Sequence, residues 1–169
     1  MIRVALAAVL VAGLSASAAA QERPRPAVEL TGGWVGFVDD ATVHERLVAG
    51  GVRWYVSPRV SLGPEISYMV GPRTLRDLLV TGNVVFDFVT PRTEAPAHPI
   101  MPYLVAGGGI FRHSQRFAGR TFRSNEGGFT GGGGARIRVS DRVYVAPEFR
   151  IGWEMHTRAA VTVGVRLVQ

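Results

Sequence analysis

Gly50-Gly51-Val52-Arg53-Trp54-Tyr55-Val56-Ser57-Pro58-Arg59-Val60-Ser61-Leu62-Gly63-Pro64-Glu65-Ile66 returns 83 positions later as Gly133-Gly134-Ala135-Arg136-Ile137-Arg138-Val139-Ser140-Asp141-Arg142-Val143-Tyr144-Val145-Ala146-Pro147-Glu148-Phe149. Nine of the seventeen aligned positions are identical. Each copy has an alternating apolar run, a tight polar turn (Ser-Pro-Arg or Ser-Asp-Arg) and a second alternating run, the pattern of a β-hairpin. The chain therefore reads as a repeated antiparallel meander. Nothing in the repeat specifies a reaction.

Working outward from the repeat, eight alternating segments are expected: Val28–Val38, Arg46–Val56, Val60–Val70, Leu78–Val89, Pro102–Arg112, Gly127–Val139, Val143–Glu154 and Ala159–Val168. Each has about ten residues, the length with which a tilted strand crosses a bilayer. An even count lets the first and last strands close an up-and-down barrel as antiparallel neighbours. Ser57–Arg59 and Ser140–Arg142 are minimal turns, whereas Asp39–Glu45, Gly71–Asp77 and His113–Glu126 are longer, and a short fourth loop is expected near Met155–Arg158. Short turns on the periplasmic side and longer loops outside are the habit of transmembrane barrels. The prolines at 91, 96 and 99 exclude a regular strand from Thr90–Met101, which is expected to be a periplasmic connection.

Residues 1–20 have the parts of a cleavable secretory signal, with Arg3, the apolar run Val4–Leu14 and Ala18-Ala19-Ala20 before the expected cleavage. A short linker, residues 21–27, then leads to a barrel domain over 28–169. Cysteine is absent, which removes disulfides, thiol catalysis and thiolate metal sites. All nineteen basic residues are arginine and the formal charge is +6. A planar guanidinium pairs well with carboxylate or phosphate, although a GC-rich coding sequence gives the same bias.

Parity separates the faces. On the seventh segment Val143, Val145, Pro147, Phe149, Ile151 and Trp153 oppose Tyr144, Ala146, Glu148, Arg150, Gly152 and Glu154. The third, fourth and eighth segments divide in the same way. A soluble lipocalin-like periplasmic binder would also alternate. Three features favour the apolar face outward: a polar face rich in Gly, Ala and Ser, which suits a cramped lumen; aromatic residues Trp54, Tyr103 and Trp153 near strand ends on the apolar face, as in an interfacial girdle; and Thr162–Leu167, which resembles the terminal signal read by the barrel-assembly machinery. Gln169 departs from that signal, which usually closes on an aromatic residue.

With its secretory signal, eight strands, short turns on one side and the stretch Val-Ser-Asp-Arg-Val-Tyr-Val-Ala-Pro-Glu-Phe-Arg at 139–150, the chain resembles the small outer-membrane β-barrels related to OmpA and OmpX. The resemblance implies an all-β fold, an eight-stranded antiparallel up-and-down transmembrane barrel in the outer membrane of a Gram-negative-type cell. It reaches only the barrel, so no peptidoglycan-binding domain and no tether to the cell wall is implied.

The apolar-out assignment turns Glu29, Arg53, Glu65, Asp87, Arg136, Arg138, Glu148, Arg150 and Arg166 into the lumen. An eight-stranded interior is filled by its own side chains, and charges held there must pair. A salt-bridged plug that fixes register is preferred to an ion-conducting constriction or a proton-linked gate. In both repeat copies the arginine and glutamate stand at unequal heights, which points to diagonal pairing or pairing with another strand. Gly107–Gly109 and Gly131–Gly134 lack the Lys-Ser/Thr and the helix of a phosphate loop, and packing against large lumen side chains explains them better.

For chemistry the chain offers little. His113-Ser114 is the only adjacent His/Ser pair, and neighbours on a strand point to opposite faces, so neither a catalytic residue nor a metal or cofactor is assigned. The interaction candidate is the segment Phe111–Arg123, where Arg112, Arg116, Arg120 and Arg123 interleave with aromatics and could meet lipopolysaccharide phosphates. No nucleic-acid motif is present, and a monomer is expected. The reading is an envelope-structural or surface-interaction barrel, not an enzyme. The alternatives are a small channel, a lipid A-modifying enzyme or the soluble binder.

Overall fold

The structure is a computed structural model that describes residues 24–38, 42–72, 75–90, 99–117, 120–153 and 156–167. The expected signal segment, most of the Pro-rich connection and Gln169 lie outside the described residues. Eight strands form one closed antiparallel barrel in chain order: β1 (Ala27–Val38), β2 (Thr42–Tyr55), β3 (Val60–Val70), β4 (Arg76–Asp87), β5 (Ile100–Phe117), β6 (Arg120–Arg138), β7 (Val143–Gly152) and β8 (His156–Arg166). Closure is made by β1 on β8, from Ala27 opposite Arg166 to Phe37 opposite His156. Every strand thus has two partners and no edge is left open.

The serines of the repeat close both short turns in the same way. Ser57 Oγ accepts from the backbone N–H of Val60 at 3.0 Å, and Ser140 Oγ from that of Val143 at 3.1 Å. The prolines interrupt both ladders at equivalent places. Between β2 and β3 the paired register runs from Gly51–Glu65 to Trp54–Leu62, and between β6 and β7 from Gly134–Glu148 to Ile137–Val145. Pro64 and Pro147 have no N–H to give. In those gaps Arg53 comes opposite Gly63 and Arg136 opposite Ala146, so each inward guanidinium stem faces a small residue.

The same large-against-small rule explains several glycines. A Cβ on Gly134 would meet both the Pro147 carbonyl and the Tyr103 ring, and one on Gly164 would collide with the Tyr144 ring; Gly107 faces Asn83. Gly109 and Gly132 instead meet the neighbouring strands' backbones, while Gly108 and Gly131 have only distant backbone neighbours. Packing against lumen side chains therefore accounts for part of the two glycine runs. Gly164→Ala is expected to destabilise the barrel by about 1–3 kcal/mol through overpacking, read as a lowered urea midpoint in detergent micelles, whereas Gly108→Ala should be close to neutral.

Three expectations are corrected. The long loop His113–Glu126 is a two-stranded extension of β5 and β6, 18 and 19 residues long, paired up to Phe117–Arg120. The loop placed near Met155–Arg158 is shorter, because β8 starts at His156. Tyr103 is not part of an outer girdle. It lies inside the barrel, 3% exposed, because both faces of β5 are apolar at its lower end and alternation there carries no polarity.

Outside, the wall is apolar on every strand, with Leu30, Val48, Ile66, Val84, Leu104, Phe129, Phe149 and Val161 all exposed. Inside, arginine, glutamate, aspartate and tyrosine are buried. This is the inverse of a water-soluble protein, and it is stable only with hydrocarbon around it; closed barrels are the sheet architecture that spans bilayers without unpaired backbone groups. The barrel is built to span a membrane.

Candidate functional site

The lumen is filled in layers. Nearest the short-turn end, Arg53 grips Glu29 with two bonds of 2.9 Å, from Nε and from Nη2, and donates from Nη1 to Ser61 at 3.4 Å. Tyr144 also donates its hydroxyl to Glu29. Arg136, 1% exposed, donates to Asp87, 0% exposed, and its guanidinium lies 4.4 Å from the centre of the Tyr103 ring. Around these groups pack Ala27, Val85, Val105 and Ala146.

Above them two arginines and two glutamates from β3, β7 and β8 interlock. Arg150 makes two bonds to Glu148, of 2.6 and 3.0 Å, a third to Glu65 at 3.2 Å and a fourth to Asn83 at 3.4 Å. Arg158 reaches Glu65 at 2.5 Å and Glu148 at 3.7 Å. Ser67 and Tyr103 donate to Glu65 and Glu148 at 2.9 and 3.0 Å. Each carboxylate is shared by two guanidinium groups, so the four side chains act as one neutral cluster. A third layer, Val35, Leu47, Met69, Leu79 and Ala160 with Phe37 and Phe111 against it, is apolar. At the opposite end from the short turns, His113 Nδ1 stands 2.8 Å from Asp77, near buried Glu45.

The two repeat copies thus do not pair internally. Arg53 takes Glu29 from β1, Glu65 is held from across the barrel by Arg150 and Arg158, Arg136 takes Asp87, and Glu148 takes Arg150 two residues along its own strand face. Arg138 stays outside this network and meets Asp141 of the turn at 2.6 Å. Arg166 is buried with its guanidinium 6.0 Å from the Tyr144 ring, and the ion pairs among the described residues do not include it. Sequence reasoning missed Arg158, Tyr103 and the pairing role of Tyr144. The signal for Arg158 was available: His156, Arg158, Ala160 and Thr162 continue the parity of Arg166.

The arginine segment does not form one surface. Arg112 and Arg123 lie on the outward face of the β5–β6 extension, while Arg120, by alternation, lies on its other face; Arg112 Nε donates to Asn125 at 3.0 Å. The side chain of Arg116 lies outside the described residues. Among the described residues no cluster of three or more His, Asp or Glu could hold a metal ion. His156 is directed to the Trp153 carbonyl and His113 to Asp77. No hydroxyl is hydrogen-bonded to a histidine among the described residues.

The chain matches no protein-family model. No curated protein matches it either. Among solved structures, Neisserial surface protein A (NspA) superposes with a TM-score of 0.72 at 13% identity, covering 84% of this chain and 97% of that one. The N-terminal β-barrel domain of Pseudomonas aeruginosa OprF gives 0.66 at 15%, over 87% and 100%. Ail, the attachment invasion locus protein of Yersinia pestis, gives 0.58 at 9%, over 86% and 98%. At these identities the likeness is one of fold.

Proposed function

We propose that this chain, which has the fold of the small eight-stranded outer-membrane barrels, is an envelope-structural and surface-contact protein whose lumen is sealed by arginine–glutamate pairs. The observation that carries the reading is the Arg150–Glu65–Arg158–Glu148 cluster with the apolar layer of Leu47, Met69 and Leu79 stacked on it. An ion crossing the barrel would have to lose its hydration, displace charges already paired, and then pass an apolar constriction. Each of these is a barrier of several kcal/mol. With transport disfavoured and no catalytic geometry among the described residues, the surfaces that remain for function are the lipid-facing wall and the β5–β6 extension. The short-turn end faces the periplasm, following the habit of such barrels, and the β5–β6 extension faces outward, where lipopolysaccharide is the available anionic partner. The barrel-assembly machinery inserts the chain, acting on the Thr162–Leu167 segment.

The folded barrel, checked by heat-modifiable gel mobility, is expected to give no discrete conductance steps in planar bilayers. Replacing Met69, Leu79 and Arg158 together with alanine should open steps, since it removes apolar bulk and one member of the cluster. Stepwise conductance by the unaltered barrel would refute the sealed lumen and favour the small-channel reading.

A further inference from the structure

The outward face of β2–β5 carries three arginines where those strands leave the apolar wall. Arg46 stands opposite Val70 on β3, and Val70 stands opposite Arg76 on β4, so Arg46 and Arg76 flank one strand. Arg112 on β5 is opposite Leu78, two residues along β4 from Arg76. Interstrand spacing puts Arg46 and Arg76 about 10 Å apart, and the diagonal puts Arg76 and Arg112 about 7–8 Å apart. All three are exposed, and their inward neighbours Glu45 and Asp77 are buried, so the guanidinium groups face away from the lumen. Immediately toward the membrane lie Val48, Tyr68, Val80 and Ile110, all exposed and apolar or aromatic, and Trp34 stands beside Arg46 on β1.

Two hydrogen bonds orient this group. Arg76 Nη1 donates to the Tyr68 hydroxyl at 3.1 Å, and Arg112 Nε to Asn125 at 3.0 Å. The ion pairs among the described residues use none of the three. The other strands differ. Along the row that leaves Arg46 through β1, the outward residues on β1, β8 and β7 are Trp34, Ala159 and Phe149, and none is charged. The cations are therefore gathered on one side at the edge of the hydrocarbon.

We infer that Arg46, Arg76 and Arg112, around Tyr68, form a binding site for the phosphates of an outer-leaflet glycolipid whose acyl chains lie on the apolar wall below. Guanidinium donors match phosphate oxygens in pairs, and at the edge of a bilayer an unpaired cation gains most from an anion anchored in the same leaflet. A soluble phosphate could satisfy the arginines but would gain nothing from Trp34, Val48 and Ile110. The site rests on the outer-membrane, outward-facing reading given above, but it moves the lipid contact from the tip of the extension to the rim of the wall.

The test is native mass spectrometry of the folded barrel released from mixed micelles containing diphosphorylated lipid A, a dephosphorylated lipid A or phosphatidylglycerol, with and without inorganic phosphate. The variants are Arg46→Gln/Arg76→Gln/Arg112→Gln and, separately, Arg120→Gln/Arg123→Gln, each checked for heat-modifiable mobility. Retention of diphosphorylated lipid A is expected to fall about tenfold or more in the rim variant, to be unchanged in the extension variant, and to resist inorganic phosphate at equal molarity. Equal retention by the rim variant and the unaltered barrel overturns the site. Loss in the extension variant alone also overturns it while leaving the surface-contact reading standing, whereas no retention by any form removes both. Displacement by free phosphate would overturn the lipid as the ligand.

Discussion

Glu65→Ala is expected to lower the stability of the folded barrel by about 3–5 kcal/mol, the range for removing one partner from a buried ion pair. Glu65 accepts from Arg150 at 3.2 Å, Arg158 at 2.5 Å and Ser67 at 2.9 Å. Without it Arg150 keeps its two bonds to Glu148, but Arg158 is left with the Ser67 hydroxyl at 3.5 Å and that same carboxylate at 3.7 Å. A guanidinium excess of one is then buried beside an apolar layer that cannot solvate it. Glu65→Gln should fall between, because the amide oxygen can still accept a bond while the charge is gone. Glu65→Ala/Arg158→Ala restores the balance of charge and should be less damaging than the two single changes added together, with a coupling of about 0.5–3 kcal/mol. Equilibrium urea unfolding in lipid vesicles, followed by tryptophan fluorescence, reads all four. Strict additivity would mean that the cluster does not act as a unit.

The legible parts of the fold were those where period-two polarity is complete. On β3, β7 and β8 the outward positions are apolar apart from Thr157 and the inward ones small or polar apart from Met69, and the strands run close to where alternation placed them. The turn serines, the even strand count and the inward direction of Arg53, Glu65, Arg136 and Glu148 followed from the same pattern. Where polarity disappears, so does the signal. At the lower end of β5 both faces are apolar, which put Tyr103 on the wrong side; in the upper β5–β6 hairpin polar residues occupy both faces and Phe122 stands exposed among them, so 18- and 19-residue strands looked like a loop. Arg158 was lost because a boundary was drawn three residues late.

The partners of the lumen charges were illegible for a different reason. Ion pairs across a barrel depend on the stagger with which the sheet closes, and that stagger is a property of all eight strands together. Glu65 on β3 meets Arg150 on β7 and Arg158 on β8 because the interior is narrow enough for side chains to meet across it. No spacing within the repeat contains this information. The repeat does explain why such residues fit at all, since it sets a glycine or alanine opposite each of Arg53, Glu65, Arg136 and Glu148.

Val161→Arg should cost about 2–4 kcal/mol, with the loss depending on depth in the membrane. Val161 points outward from the middle of β8, 49% exposed, between Gly32 on β1 and Pro147 on β7. On a protein wall facing water, an exposed valine can become arginine within about 0.5 kcal/mol, because the guanidinium stays hydrated. On this wall the side chain emerges among acyl chains, and its length does not carry the charge to either headgroup layer without thinning the bilayer around it. Leu167→Arg is the matched control. It is outward and exposed just past the last residue of β8, level with Pro26, whose carbonyl accepts the Leu167 N–H at 2.8 Å. There the guanidinium reaches water at once, and the expected cost is about 0–1 kcal/mol. Both variants keep the same strand pairing and leave the lumen untouched, so the difference between them reports only on what surrounds the wall. Unfolding free energies measured in the same vesicles decide the matter: a large cost at Val161 with a small one at Leu167 follows from a belt of hydrocarbon, whereas equal and small costs at both would require water on the outside and an apolar face without a solvent to match it.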